Sequence, residues 1–571
     1  MPNKPSTRGR RTLSPALAAL LGCALLTGCQ SRTNVAATGN TAAQFTHVFL
    51  TINQIWFNAS AAAGPTDGGW VKFPLATAQT IDLVTLTNGT LSQLASGLKL
   101  GAGTYDQVLV MLADSTDALS SSAQTAGAAT NDEVDYLDTA AVAHTAPLAV
   151  LNAAQGISIS TSLAVTASSS SVGSPPSSAA TVSGTNGSAT PVTGVAATTS
   201  AIVDFDAARD LVPISLSGQP AFVLNPHPHS YNAADSGTIQ GSVSLTAVAT
   251  LTAAGYPDVQ VCAEALSSDG TRHVIVKTTR VRSDGTFVLY PLATTSGAPG
   301  TYDLVIHGPA IQTVIVKAVP VTHAAPGAAT AGLGTLTLTA AAPFLVDINA
   351  RYPASPTSSL VGFYQTLPLS AEVPYLVEAR PLDPTSGLFA SAQELSGGAL
   401  QYGSYTSGTI ALTTVNPRQG AATYSIGAIN PAFGTGTLGT TVTAPADPSI
   451  PALFTLNAPP VPTGSTADAI QGTISVGTSG FDNAELFLTA NGALVAAAPL
   501  TGYLGGSQGT LSLNAVAPGG SPGATYAPGV YHAEVWAWNS ANPTNTLTRI
   551  PYGSTIDMTA GNATGVALQI N

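Results

Sequence analysis

Sustained helical periodicity is scarce beyond the first 28 residues of this 571-residue chain. Short β-branched runs cut by Gly, Pro, Asn and Asp recur instead. In Val48-Phe49-Leu50-Thr51-Ile52, residues Val48, Leu50 and Ile52 alternate onto one face, as a half-buried strand requires. The same grammar returns at Gly237-Thr238-Ile239-Gln240-Gly241, at Gly300-Thr301-Tyr302, at Ala469-Ile470-Gln471-Gly472 and at Gly529-Val530-Tyr531. Many short strands with regular turn signals predict an all-β chain of tandem β-sandwiches.

The first 28 residues follow another rule. Lys4, Arg8, Arg10 and Arg11 form a basic head, Leu13 to Leu26 an apolar run, and Leu26-Thr27-Gly28-Cys29 closes it. That order is a secretory signal, and the run is short for a membrane span. The small Thr27-Gly28 pair admits a peptidase before Cys29. The Cys29 thiol can then carry diacylglycerol and the new amine an acyl chain, an anchor worth roughly 0.8 kcal/mol per buried methylene. The chain is therefore expected to be a lipoprotein, lipidated at Cys29, with the membrane as its first partner.

Residues 29–44 are polar and small and read as a tether. A first β-domain is expected over residues 45–230, with one helix suggested by Leu91, Leu94 and Leu98. Its stretch from about 166 to 200 is nearly all Ser, Ala, Thr, Gly, Val and Pro and reads as a flexible insertion. A second sandwich is expected over 235–343 and a last one over 466–571, with a β-rich region of undecided independence at 344–462. Ile-Gln-Gly opens a unit at Ile239 and again at Ile470. Gly-x-Tyr precedes an apolar strand at Tyr105, Tyr302 and Tyr531; these rings are expected to be at least half buried and to serve the fold.

Charge narrows the function classes. Lys, Arg, Asp and Glu make up 8% of the chain against about 25% in an average protein. The formal charge is −12, and loss of the four basic signal residues carries it further negative. No basic stripe exists, so a nucleic-acid partner is not expected. Once Cys23 leaves with the signal and Cys29 is lipidated, Cys262 is the remaining thiol, with no disulfide partner. Its apolar setting, Val259 to Ala263, marks a small core residue.

Four stretches of the first region resemble a lipoprotein family known as domain of unknown function 4382. They are Val48 to Phe57, Ile81-Asp82-Leu83 with Leu86-Thr87-Asn88-Gly89, Gly103-Thr104-Tyr105-Asp106-Gln107, and Val203 to Arg209. The resemblance implies a β-rich exported domain without established chemistry. The chain departs from the family pattern at Ser158 and at Asn225, where a Lys is expected. The region from Gly237 to about Ala340 is similar to carboxypeptidase-regulatory and starch-binding-like, prealbumin-like sandwiches, which implies a spacer or sugar-binding role. By resemblance to Gram-negative lipoproteins, Gln30 in place of Asp after Cys29 implies the outer membrane.

Few residues suggest chemistry. Asp204 and Asp206 share one face of a strand, as paired carboxylates for calcium or acid–base work would. His227-Pro228-His229 offers two imidazoles, short of the three or four ligands zinc takes. Trp536 and Trp538 lie two apart on one strand face, as sugar-stacking aromatics do, although a core face explains them as well. Tyr402 and Tyr405 read as loop packing. No catalytic residue, metal site or cofactor is assigned. The expected function is a non-enzymatic, membrane-anchored binding or spacer module of the cell envelope, its partner a glycan or an envelope protein. The alternative is a hydrolase of an envelope polymer working through Asp204 and Asp206.

Overall fold

The computed structural model describes residues 30–42, 44–138, 141–165, 200–245, 259–294, 300–321, 323, 331–347, 360–369, 371–381, 393–406, 410–414, 422–430, 434–435, 441–443, 452–453, 469–477, 480–490, 493–506, 508–516, 522–524 and 529–571. The signal segment, Cys29 and the Ser-rich insertion lie outside them. Among the described residues the chain is all-β, with a few short helical turns.

The first sandwich uses β1 (Gln30–Asn40), β2 (Phe45–Asn58), β3 (Val71–Asp82), β4 (Ser92–Gly101), β5 (Gly103–Leu112), β6 (Glu133–Leu137), β7 (Ala143–Val150), β8 (Ile157–Val165), β9 (Ser200–Asp206), β10 (Leu211–Leu216), β11 (Gln219–Leu224) and β12 (His229–Asn232). One sheet runs β12-β9-β1-β4; the other runs β10-β11-β7-β6-β2-β5-β8, with β3 also on β2. Alternate residues such as Val35, Leu50, Ile52, Val110 and Phe205 fill the space between them.

Two expectations fail here. Residues 30–40 are not a tether: β1 lies inside its sheet, antiparallel to β4 and parallel to β9. Its small, polar residues become a strand because both neighbours satisfy its backbone, with Thr33, Val35 and Ala37 turned inward and fully buried. Nor is there a helix at Leu91–Leu98: Leu91 precedes β4, and Leu94 and Leu98 belong to it, with Leu94 and Leu100 facing the core. Leu94 and Leu98 satisfy a period of two as well as a helical spacing, and the pairing with β1 decides between them.

Among the described residues, the rest of the chain repeats one two-sheet plan three times, with the first strand of each sandwich between an antiparallel and a parallel partner. The second sandwich has β13 (Ser236–Leu245), β14 (Gln260–Leu266), β15 (His273–Arg280), β16 (Thr286–Ala293), β17 (Gly300–His307), β18 (Val314–Val321) and β19 (Ala331–Leu338). Its first strand pairs antiparallel with the fourth and parallel with the seventh, giving β16-β13-β19; the other sheet runs β15-β14-β17-β18. The third uses β20 (Pro343–Asp347), β21 (Leu360–Gln365), β22 (Tyr375–Pro381), β23 (Gln393–Ser396), β24 (Gln401–Ser404), β25 (Thr413–Thr414), β26 (Thr423–Asn430), β27 (Gly434–Thr435), β28 (Thr441–Thr443) and β29 (Ala452–Leu453). Its sheets, β23-β20-β29 and β22-β21-β26 with β27 and β28, keep the plan. The fourth has β30 (Ala469–Val476), β31 (Asn483–Ala490), β32 (Ala493–Pro499), β33 (Gln508–Val516), β34 (Pro522–Ala524), β35 (Val530–Trp538), β36 (Thr548–Pro551), β37 (Ile556–Asp557) and β38 (Ala563–Ile570), again with a first strand between an antiparallel and a parallel partner.

The recurring motifs have structural causes. In both Ile-Gln-Gly units the glycine lies at a register shift against the parallel partner strand. A Cβ on Gly472 would lie 1.8 Å from the Val566 carbonyl oxygen, and one on Gly241 2.9 Å from Phe287. Only glycine allows that approach. Tyr302 and Tyr531 are buried and Tyr105 partly so. The Tyr302 hydroxyl donates to the Ala293 carbonyl at the end of the fourth strand, 2.7 Å away. Tyr424 does the same to Ser396 in the third sandwich, at 3.0 Å. It follows an Ala-Thr pair, so the Gly-x-Tyr search passes over it.

The third sandwich is tied to the second. Its β24 pairs parallel with β18, extending the second sandwich's sheet to β15-β14-β17-β18-β24-β25. Cys262, Val305 and Ile315, on the outer face of that sheet, pack with Phe363, Tyr375 and Val377 of the third sandwich in one apolar cluster.

Candidate functional site

The residues that suggested chemistry lie at two junctions made by the first sandwich. The first is with the second and third sandwiches. Asp204, on β9, is buried, and Lys277 on β15 donates to it at 2.5 Å. Burial raises the Asp204 carboxyl above its ordinary range, and the Lys277 charge pulls against that rise. Asp206 does not join Asp204 as a free pair. Arg209, on the turn Ala207–Asp210, donates to it from Nε and Nη2, each at 2.6 Å. His227 lies 3.3 Å from Asp210, and His229 is exposed. The His-Pro-His pair therefore divides between a buried carboxylate and solvent.

Asp206, Arg209, Cys262, Thr278, His307 and Arg380 line a cavity of about 20 Å³ where the three sandwiches meet. A water needs about 10–15 Å³, so the space suits one water and not a sugar ring. Cys262 is 1% exposed. Burial pushes its thiol up, which leaves a poor nucleophile. Burial pushes His307 the other way, down to about 3, so its imidazole stays neutral at pH 7.

The same junction contains a contact made by the Asn88-Gly89 turn. Asn88, in the left-handed region at φ 58°, reaches into the second sandwich. Its amide donates to the Arg280 carbonyl at 2.9 Å and accepts from the Val288 N–H at 3.1 Å, while its own N–H donates to Thr279 at 3.0 Å. A Cβ on Gly89 would stand 3.1 Å from Val288, so the Asn-Gly pair is shaped to its socket. The signal was in view: a positive-φ dipeptide whose side chain carries both a donor and an acceptor.

The second junction joins the first sandwich to the fourth. Tyr531, Ala533, Val535 and Ala537 of β35 face their own core. Trp536 and Trp538 face the other way. With Phe487, Leu494 and Ala497 they cover Ala149, Leu151, Ile214, Leu216 and Val223 of the first sandwich. Trp536 is 0% exposed, its ring edge-on to Phe487 at 4.9 Å. Trp538 donates to Ser217 at 3.0 Å. Neither ring offers a face to a sugar. Arg549 anchors the polar part of the junction. It donates to Glu534 at 2.6 Å, to Asp114 at 2.9 Å and to the Val150 carbonyl at 2.8 Å. Tyr402 and Tyr405 are partly buried, packed on the cores of the third and second sandwiches.

Among the described residues, no group of three or more His, Cys, Asp or Glu is placed to hold a metal ion, and no helix is long and apolar enough to cross a membrane.

Residues 30–226 match the family described as Domain of unknown function (DUF4382). That match begins at the first residue of β1, in line with the strand and not with a tether. No curated protein matches the chain. Among solved structures, the chain is similar to the Bacillus anthracis TIE protein at 10% identity, covering 98% of this chain and 79% of that one, with a TM-score of 0.13. It is similar to a Streptococcal ancillary pilin at 10% identity, covering 58% and 99%, also at 0.13. Two B repeat units of the collagen binding protein of Staphylococcus aureus match at 8% identity, covering 89% and 93%, at 0.09. TM-scores this low do not extend to a shared overall structure.

Proposed function

We propose that this chain is a lipid-anchored, non-enzymatic spacer or binding module of the cell envelope, held through Cys29, with the outer membrane as its site in a Gram-negative cell. One observation carries the reading. Asp204, Trp536 and Trp538 are spent on holding sandwich to sandwich, and Asp206 is spent on Arg209. Such a body presents its outer strands and loops to a partner, of which a glycan or an envelope protein is the class expected. A hydrolase would need a free carboxylate pair facing a cleft. Asp204 is bound to Lys277, and Asp206 is bound to Arg209 beside a water-sized space.

The test uses the full chain in a bacterial host. Metabolic labelling with a fatty-acid analogue should mark the wild type and not Cys29→Ser, and only the wild type should sediment with membranes. Equal labelling and sedimentation of both would remove the anchor. Turnover of an envelope polysaccharide by the wild type, lost in Asp204→Asn, would replace the spacer reading with the hydrolase.

A further inference from the structure

We infer that the end of the first sandwich carrying Arg32 and Lys99 is a contact surface for anionic phospholipid headgroups, an inference that rests on lipidation of Cys29. Because β1 starts at Gln30, almost no slack separates the lipid-bearing residue from the folded body. Arg32 is three residues from Cys29, so their Cα atoms are at most about 10 Å apart. An anchor this short brings the end of the sandwich to the bilayer surface.

That end is marked by charge. Arg32 and Lys99 stand directly opposite each other on β1 and β4, one pair in from Ser31 and Leu100. Both are exposed, on the sheet face turned away from the core. Like charges directly opposite on adjacent strands destabilise a sheet unless something outside supplies the counter-charge. The protein does not supply it. Among the described residues every other Lys or Arg has a partner: Lys277 has Asp204, Arg209 has Asp206, Lys317 has Glu372, Arg380 has Glu378, Arg549 has Glu534, and Lys72 lies over Trp56. Arg272, Arg280 and Arg282 are engaged as well. Arg32 and Lys99 are thus the two unpaired cations of the described structure, placed beside the anchor of an otherwise acidic chain.

An anionic bilayer repels such a body and attracts this end. The attraction acts within a Debye length of about 8–10 Å, which Arg32 and Lys99 reach only because β1 leaves no tether. A basic residue near an anionic surface strengthens association about fivefold, so the pair is expected to contribute on the order of thirtyfold. The lipid holds the protein to the membrane, and the two cations set which way up it stands.

The experiment uses the mature, lipidated full chain with Ala102→Cys, at the exposed turn between β4 and β5, labelled with a fluorophore. Buried Cys262 does not compete for the label. The protein is reconstituted on vesicles of phosphatidylcholine alone or with phosphatidylglycerol, each containing a nitroxide headgroup quencher. Flotation reads the anchor, and quenching reads the apposition. Quenching is expected to be several-fold stronger with phosphatidylglycerol, to fall to the phosphatidylcholine level in Arg32→Gln/Lys99→Gln, and to fall likewise in about 1 M salt. Flotation should not change in that variant, and its melting temperature should not fall. Equal quenching on both vesicles, or quenching indifferent to the double substitution while flotation persists, overturns the contact surface and leaves the anchor standing. A protein that does not float, or floats equally as Cys29→Ser, overturns both.

Discussion

The two junctions of the first sandwich solve the same problem with different chemistry. Against the second sandwich it sets polar keys, Asn88 in its socket and the buried Asp204–Lys277 pair, beside a small apolar cluster of Ile202, Tyr231 and Tyr290. Against the fourth it uses apolar area, two tryptophans and a phenylalanine over five aliphatic side chains, with Arg549 fastening one side. Chain separation accounts for the difference. Only the turn Ala233–Asp235 lies between β12 and β13, so the second sandwich is already concentrated at its partner, and directional contacts suffice to set the angle. Asn152 meets Glu534 across 382 residues. Closing that loop costs more entropy, which buried apolar surface offsets better than hydrogen bonds exchanged with water.

The largest effect should come from the aromatic side. Trp536→Ala is expected to cost about 3–5 kcal/mol. It should also split the calorimetric trace, the fourth sandwich melting apart from the first. A single transition at the wild-type temperature would mean that the junction does not couple them.

Lys277→Met should cost a comparable amount, about 3–5 kcal/mol, because Asp204 is left buried without its partner. Adding Asp204→Asn should recover most of that loss, as the pair is worth far less than the penalty for half of it. A double variant as unstable as the single one would show that the ion pair, and not the stranded charge, holds this junction.

Asn88→Ala should cost about 2–3 kcal/mol by leaving the Val288 N–H and Arg280 carbonyl without their partners. Denaturant melts of the second sandwich should register it, while a Trp538 fluorescence probe of the far junction stays constant. Equal loss at both would erase the distinction between them.

Acid should act on the polar junction through His307. Its folded-state pKa is depressed to about 3, so between about pH 6.5 and 3 the unfolded chain binds a proton that the folded one excludes. Stability from this group is present at neutral pH and is lost as pH falls, by about 1.4 kcal/mol per unit. The buried Asp204 carboxyl, raised by burial, works in the opposite sense, losing its contribution as pH rises. The difference between wild type and His307→Gln isolates the histidine: their melting temperatures should converge on acidification. Parallel curves would place His307 in contact with solvent.

Fold class was open to reading because strand grammar is local. The β-branched runs, the turn residues and the Ile-Gln-Gly openings each act within a few positions. β1 was hidden because Gln30–Asn40 has little apolar content of its own, and its strand character comes from β4 and β9, more than fifty and a hundred and fifty residues away in sequence. Trp536 and Trp538 were found but their face was not. In Tyr-His-Ala-Glu-Val-Trp-Ala-Trp one alternation is wholly apolar and marks the core face, whereas His532 and Glu534 share the other with the tryptophans, so the sequence does not mark that face as covered. Asp204 and Asp206 looked like a site because paired carboxylates on a strand are expensive to bury. Lys277, which makes the burial of Asp204 tolerable, belongs to β15, an element that no spacing rule connects to β9; Arg209 follows Asp206 by three residues and was within reach of the sequence.

The aromatic junction also sets a schedule. A chain emerging from the ribosome in order completes the first sandwich long before Trp536 and Trp538 exist. Until then Ala149, Leu151, Ile214, Leu216 and Val223 form an uncovered apolar patch beside the edge strand β10. Such a patch is prone to aggregate or to be held by a chaperone. Truncations that end before β35 should therefore be the sticky forms of this protein, whereas a chain shortened inside the first sandwich would never display the finished patch at all.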